Sequence, residues 1–299
     1  MGSPFLVTIL LSLLLFADLE ETLFGRDADM RVINGTDAQQ SDFHYLATIL
    51  IKINRTNDPK PKLGFGGGSI IGDRWILTAR HAAVHSDNFA EDGPVAETSA
   101  TVYPKYPTKK LKKFFKEKGY KVAKRFCQPF KKGESHFVSD IAVLKLQDPI
   151  PLETDPHKFR KIDLADKFDE HGNVTVMGWG FTNHSYKVPD KIQMAHLKIM
   201  DKKECADITG ISSDGNRTFC VGGSTNVCNG DSGGPGVAKD EKGTESQIGV
   251  IAAAPPNCSI VGVFVNTITY RDWINEIMNS EPEKYECKVV FKDRMSSSF

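Results

Sequence analysis

The sequence predicts an all-β fold, and three observations carry that expectation. Short runs rich in β-branched and aromatic residues, Leu46 to Ile51, Trp75 to Thr78 and Ile141 to Leu146, have the length of strands. Gly-, Pro- and Asp-containing turns separate them, as in sandwiches and barrels. A helical spacing emerges only near the end, where Trp273 and Ile277 fall four apart within Tyr270 to Met278. No repeat of fixed period competes with this pattern.

With 40% apolar and 25% charged residues over 299 positions, the composition is that of a globular protein with a real core. The formal net charge is zero, so no global field is directed at nucleic acid or membrane, and a charged partner must be met by a local patch. The strongest such patch runs from Lys105 to Lys132, with twelve Lys or Arg residues against the single acid Glu117. Tyr106, Phe114, Phe115, Tyr120 and Phe126 are interleaved with the charges. The stretch reads as a solvated surface loop, or more sharply as a site for a heparin-like polyanion.

Residues Phe5 to Phe16 form an unbroken apolar and small-residue run, too short to span a bilayer of about 30 Å and suited to a signal-peptide core. An exported, extracellular chain is expected, with residues 1–17 as the signal and no transmembrane segment. Six cysteines, an even number, then suggest disulfides, for which fifteen pairings exist. Six N-x-[ST] triplets start at Asn34, Asn54, Asn173, Asn183, Asn216 and Asn257. Sugar is expected at Asn54, Asn173, Asn183 and Asn216.

The densest chemical signal is Cys228-Asn229-Gly230-Asp231-Ser232-Gly233-Gly234-Pro235. Glycines flanking a serine let backbone approach a substrate closely, and the N–H groups of Gly230 and Ser232 can converge on a developing oxyanion. A serine hydroxyl needs a base to become a nucleophile. His81 follows the apolar run Trp75 to Thr78, and Asp140 leads directly into the apolar run from Ile141. An acid at such an edge can fix an imidazole tautomer and stabilise its cation.

In its order His81, Asp140, Ser232 the chain resembles the trypsin/chymotrypsin family of serine proteases, and not the subtilisin-like or α/β-hydrolase order. Gly67-Gly68-Ser69-Ile70-Ile71, Val176-Met177-Gly178-Trp179-Gly180 and the Trp273 segment resemble further elements of that family, so the likeness runs from about Val32 to Met278. The resemblance implies two six-stranded antiparallel β-barrels with the active site in the cleft between them, plus a C-terminal helix. It implies a serine endopeptidase acting on protein or peptide substrates as a monomer, without metal or other cofactor. It also implies that another protease cuts after Arg31, and that the freed Val32 amine pairs with Asp231. Residues 18–31 are then an activation propeptide, 32–279 the protease domain and 280–299 a C-terminal extension. Disulfides Cys205–Cys220 and Cys228–Cys258 are implied, which leaves Cys127 and Cys287 for each other.

Departures from the family pattern are equally specific. Gly66 and Ala82 stand where the family usually carries a disulfide beside the histidine, so that bridge is absent without leaving a free thiol. Arg80 replaces a small residue just before His81 and is expected to snorkel outward or to disturb the histidine. Asn226 occupies the base of the substrate pocket in place of an acid, and Ala252-Ala253-Ala254 replace the usual Ser-Trp-Gly wall opposite Gly262. A neutral base predicts that basic side chains are poor at the position before the cut. An inactive homologue that binds through the same scaffold is the alternative reading.

Overall fold

A computed structural model describes residues 35–39, 42–55, 58–84, 97–104, 118–130, 134–167, 169–178, 191–211, 216–223, 227–228, 230–254 and 261–287. A two-residue strand β1 (Thr36–Asp37) is followed by a closed barrel of six antiparallel strands. These are β2 (Leu46–Arg55), β3 (Asp58–Gly72), β4 (Trp75–Thr78), β5 (Glu97–Tyr103), β6 (Tyr120–Cys127) and β7 (Ala142–Leu146). A second six-stranded barrel holds β8 (Asn173–Gly178), β9 (Gln193–Ile199), β10 (Thr218–Gly222), β11 (Pro235–Lys239), β12 (Glu245–Ala253) and β13 (Val261–Asn266). The β8–β9 pairing closes it, and β1 adds to the other edge of β9.

Each barrel has its own apolar interior. Ile49, Ile70, Ile76, Val102 and Leu144 fill the first, and Val174, Leu197, Val221, Ile251 and Phe264 the second. Buried polar contacts tie the two together. Ser69 Oγ on β3 donates to Gln247 Oε1 on β12 at 2.6 Å, and Tyr45 OH meets Glu245 Oε2 at 3.4 Å. Burial, followed by the Glu245 charge and hydrogen bond, pushes the Tyr45 phenol well above its ordinary pKa, so it stays a donor.

The helical spacing around Trp273 becomes α3 (Arg271–Ser280), after α1 (Arg80–Ala83) and α2 (Lys202–Thr209). Trp273, Ile274 and Ile277 are buried in one cluster with Trp75, Leu77 and Phe126 of the first barrel. Each such side chain contributes roughly 1.5–3 kcal/mol by leaving water. Helix α2 was not anticipated. Its signals are Asp201, whose carboxylate accepts from the Lys203 and Glu204 amides, and Gly210, left-handed at φ 69°.

The basic stretch is not one loop. Residues 120–127 are strand β6, paired with both β5 and β7. Lys121 and Lys124 are exposed, Val122 and Cys127 join the barrel interior, and Phe126 is fully buried on the outside of the barrel, in the cluster of Trp75 and Trp273. Lys124 is compensated by Glu286 at 3.1 Å and Glu281 at 3.7 Å. The densest lysines, Lys105 to Lys116, lie outside the described residues. The C-terminal segment is anchored to the same strand. Cys127 and Cys287 are bonded, Cys287 N–H donates to the Arg125 carbonyl at 2.9 Å, and Phe126 bridges Glu286.

Candidate active site

Strand register brings His81 and Asp140 together. Thr78, the last residue of β4, pairs with Ala142, the first of β7, in antiparallel sense. The three residues that follow Thr78 and the two that precede Ala142 therefore emerge at the same barrel end. Asp140 is 4% exposed and both of its oxygens are engaged by one residue. Oδ1 accepts the His81 backbone N–H at 2.8 Å, and Oδ2 lies 2.6 Å from His81 Nδ1. Burial alone would lower the imidazole pKa, but the Asp140 charge and hydrogen bond raise it above the ordinary 6.5. Asp140 thus has a partner on each oxygen with no contribution from the Ala252 side chain.

Ser232 arrives from the other barrel, on the turn that enters β11. The Gly67 N–H of β3 donates to the Ser232 carbonyl at 2.8 Å, and Gly233 N–H donates to Ile251 O at 2.8 Å. Two glycines permit this approach. A Cβ on Gly67 would lie 2.9 Å from the Gly234 backbone, and one on Gly233 (φ 83°) would strike Thr78 Oγ1 and the Gly67 carbonyl. Thr78 Oγ1 itself donates to the Gly67 carbonyl at 2.8 Å. The serine segment is therefore pressed against the strand end that leads to His81. Gly66 faces the same turn: an added Cβ would meet the Ser232 carbonyl at 2.9 Å and Ala82 Cβ at 3.0 Å. Gly67 holds the serine segment directly through its N–H, and Thr78 supports it by donating to the Gly67 carbonyl.

Gly230 adopts φ 96°, open to glycine and strained for other residues. Among the described residues neither the Gly230 nor the Ser232 amide donates a hydrogen bond. Between them Asp231 points inward, 2% exposed. Its Oδ2 accepts from Cys228 N–H at 2.9 Å, and its Oδ1 faces Gly178 so closely that a Cβ there would collide.

Ala252, Ala253 and Ala254 continue from Ile251 alongside this turn, with Ala252 buried, and Gly262 of β13 pairs with Val221 of β10. Arg80 neither snorkels outward nor displaces His81. Its Nη1 donates to the Gln128 carbonyl at 3.0 Å and its guanidinium stacks 4.0 Å from the Phe130 ring centroid. An aromatic face and a carbonyl inside reach remove the reason to point into water. Cys205 and Cys220 are bonded, and Cys228 is disulfide-bonded as well. Asn173 and Asn216 are exposed. Arg31, Val32, Asn226, Cys258 and Asn183, with the Asn54 side chain, lie outside the described residues.

Comparison with known proteins bears on the family and the fold. The family model described as Trypsin matches residues 32–274. Transmembrane protease serine 11C of Mus musculus is 27% identical over 271 residues, which cover 86% of this chain and 57% of that protein. The chain thus spans little more than half the length of that curated relative. The solved structure of neuropsin, a serine protease expressed in the limbic system of mouse brain, superposes with a TM-score of 0.62 at 22% identity. That superposition covers 83% of this chain and all of neuropsin, and speaks for the fold. With a family model matched across most of its length, the chain belongs to the trypsin family of serine proteases.

Proposed function

We propose that the chain is an exported serine endopeptidase, activated by cleavage after Arg31, with His81, Asp140 and Ser232 as its catalytic residues. The observation that carries this reading is the His81 Nδ1 to Asp140 Oδ2 contact of 2.6 Å at the barrel edge that the Ser232 turn is hydrogen-bonded against. Asp140 keeps the proton on Nδ1, so Nε2 holds a lone pair for the Ser232 hydroxyl. The Ser232 oxygen bonds to the scissile carbonyl carbon as His81 takes its proton, and the carbonyl electron pair moves onto oxygen. The Gly230 and Ser232 amides receive that oxyanion; losing one such donor costs about 10²–10³ in rate. Collapse expels the amine, which takes the proton from His81. Water then repeats the sequence to release the acid.

Export is supported by the paired cysteines, which are at home in an oxidising compartment. Among the described residues no helix is long and apolar enough to cross a membrane. The test is labelling of the Arg31-cleaved protein with a fluorophosphonate. Label on Ser232 in wild type and its loss in Ser232→Ala are expected, and no label on correctly cut wild type would overturn the reading in favour of a binding homologue.

Two further outcomes follow from the site. Because His81 must be neutral to act as base and its pKa is raised by Asp140, kcat/KM should fall with acid through a midpoint above 6.5. A pH–rate profile whose acid midpoint lies below 6 would contradict it. Selectivity for a basic residue before the cut needs a buried anion, and Asn226 is neutral. Medium apolar side chains such as Leu or Met are expected there, and a peptide-library profile dominated by Arg or Lys would reverse this expectation.

A further inference from the structure

His81 sits on α1, a helix of only four residues whose cap position, Ala79, supplies no side-chain hydrogen bond. A single turn does not hold its own shape in water, so its orientation depends on tertiary anchors. The Arg80 side chain is such an anchor. It bonds the Gln128 carbonyl and covers one face of Phe130. The Phe130 ring in turn meets His136 edge to face, with centroids 5.0 Å apart. His136 opens the 3-10 turn His136–Ser139, whose next residue is Asp140. Two side chains in series, Arg80 and Phe130, therefore link the turn that carries His81 to the segment that delivers Asp140.

The far end of this contact is itself fixed. Gln128 follows Cys127, which is bonded to Cys287, and Gln128 N–H donates to the Ile141 carbonyl at 3.2 Å. Gln128 Oε1 and His136 Nδ1 are buried without a hydrogen-bond partner among the described residues. Those atoms add nothing to the position of the segment. A planar guanidinium can stack on a ring and donate in its own plane at once, which an ammonium cannot.

We propose that Arg80 is a positioning residue: clamped between the Gln128 carbonyl and the Phe130 face, it keeps the His81 turn in register with Asp140. It ties α1 to the segment after β6, where a cross-link between positions 66 and 82 would have tied it to β3. The kinetic consequence rests on the endopeptidase reading, but the clamp acts on the His81–Asp140 hydrogen bond and can be read there directly.

The experiment uses the full chain cleaved after Arg31. In a Ser232→Ala background, which prevents self-digestion, the Nδ1 proton of His81 is followed by NMR as a strongly downfield resonance. Arg80→Ala and Phe130→Leu are expected to broaden it or move it upfield, and Phe130→Tyr to retain it. With Ser232 present, both disruptive variants should lose about 10-fold to 10²-fold in kcat, the scale of a small misplacement of reacting groups. KM should stay within about twofold, as for a loss confined to the chemical step. Arg80→Lys should rescue neither readout, and the double variant should be no worse than Arg80→Ala. A folded Arg80→Ala protein with the parental resonance and parental kcat would overturn the proposal. Should Arg80→Ala fail to fold, Phe130→Leu, which keeps the charge and the Gln128 bond, decides by the same two readouts. A parent that shows the resonance yet takes no fluorophosphonate defeats the endopeptidase reading, while the clamp still stands or falls on the resonance.

Discussion

Asp140→Asn is expected to lower kcat/KM by about 10⁴-fold with the fold intact. The reason lies in the two acceptors that Asp140 offers to one residue. Asparagine has a single carbonyl oxygen. If that oxygen faces Nδ1, the amide NH₂ is turned against the His81 backbone N–H, donor to donor, at a position 4% exposed. An unmet buried donor costs roughly 1–3 kcal/mol, which disfavours this orientation. In the other orientation the oxygen keeps the backbone N–H and the NH₂ faces Nδ1, which must then be the acceptor. The imidazole proton moves to Nε2, and no lone pair remains for the Ser232 hydroxyl. Removing the carboxylate also removes both causes that raise the His81 pKa and leaves burial, which lowers it. Residual activity should therefore show an acid limb displaced to lower pH. Steady-state kinetics across pH on wild type and Asp140→Asn check both effects, and a loss smaller than about tenfold would mean that Asp140 does not set the tautomer.

Most of the fold, and the residues gathered around the Ser232 turn, were legible because they are written in local signals. The apolar runs that end at Thr78 and begin at Ile141 carry His81 and Asp140 at their edges, and the glycines around Ser232 signal close backbone approach. What escaped was set by contacts distant in sequence. Arg80 reads as an intrusive cation until Phe130 and Gln128, about fifty positions away, are brought beside it. Strand β6 was hidden because its outward residues Lys121 and Lys124 continue a run of charge, while its period-two pattern is short. The Ser69–Gln247 bond joins residues 178 apart, and no spacing rule reaches that far.

Precursor carrying Arg31→Gln, treated with trypsin, is expected to remain about 10²–10³-fold less active than wild type treated in the same way, the scale set by oxyanion donors out of place. A new amine at Val32 is expected to act on Asp231, and the described strands set the distance that it must cover. At one level of β9, Gln193 pairs with Asp37 of β1 on one edge and with Gly178 of β8 on the other. Gly178 in turn abuts Asp231. Two strand spacings separate β1 from Gly178, roughly 10 Å. The four steps from Thr36 back to Val32 span at most about 14 Å when extended, enough to cover that distance. Asp231 is buried, so a charge brought into the same dry space is expected to act on it strongly and, through it, to fix the turn bearing the Gly230 and Ser232 amides. Before cleavage Val32 carries an amide and no charge, so the gain must need both partners. Asp231→Asn should accordingly lose a similar factor even after correct cleavage, and combining it with Arg31→Gln should add little. Sequencing of the new N-terminus, with peptide hydrolysis by all four proteins, checks this. Full activity in uncut Arg31→Gln protein would remove the switch, and full activity in cut Asp231→Asn would remove Asp231 as its receiver.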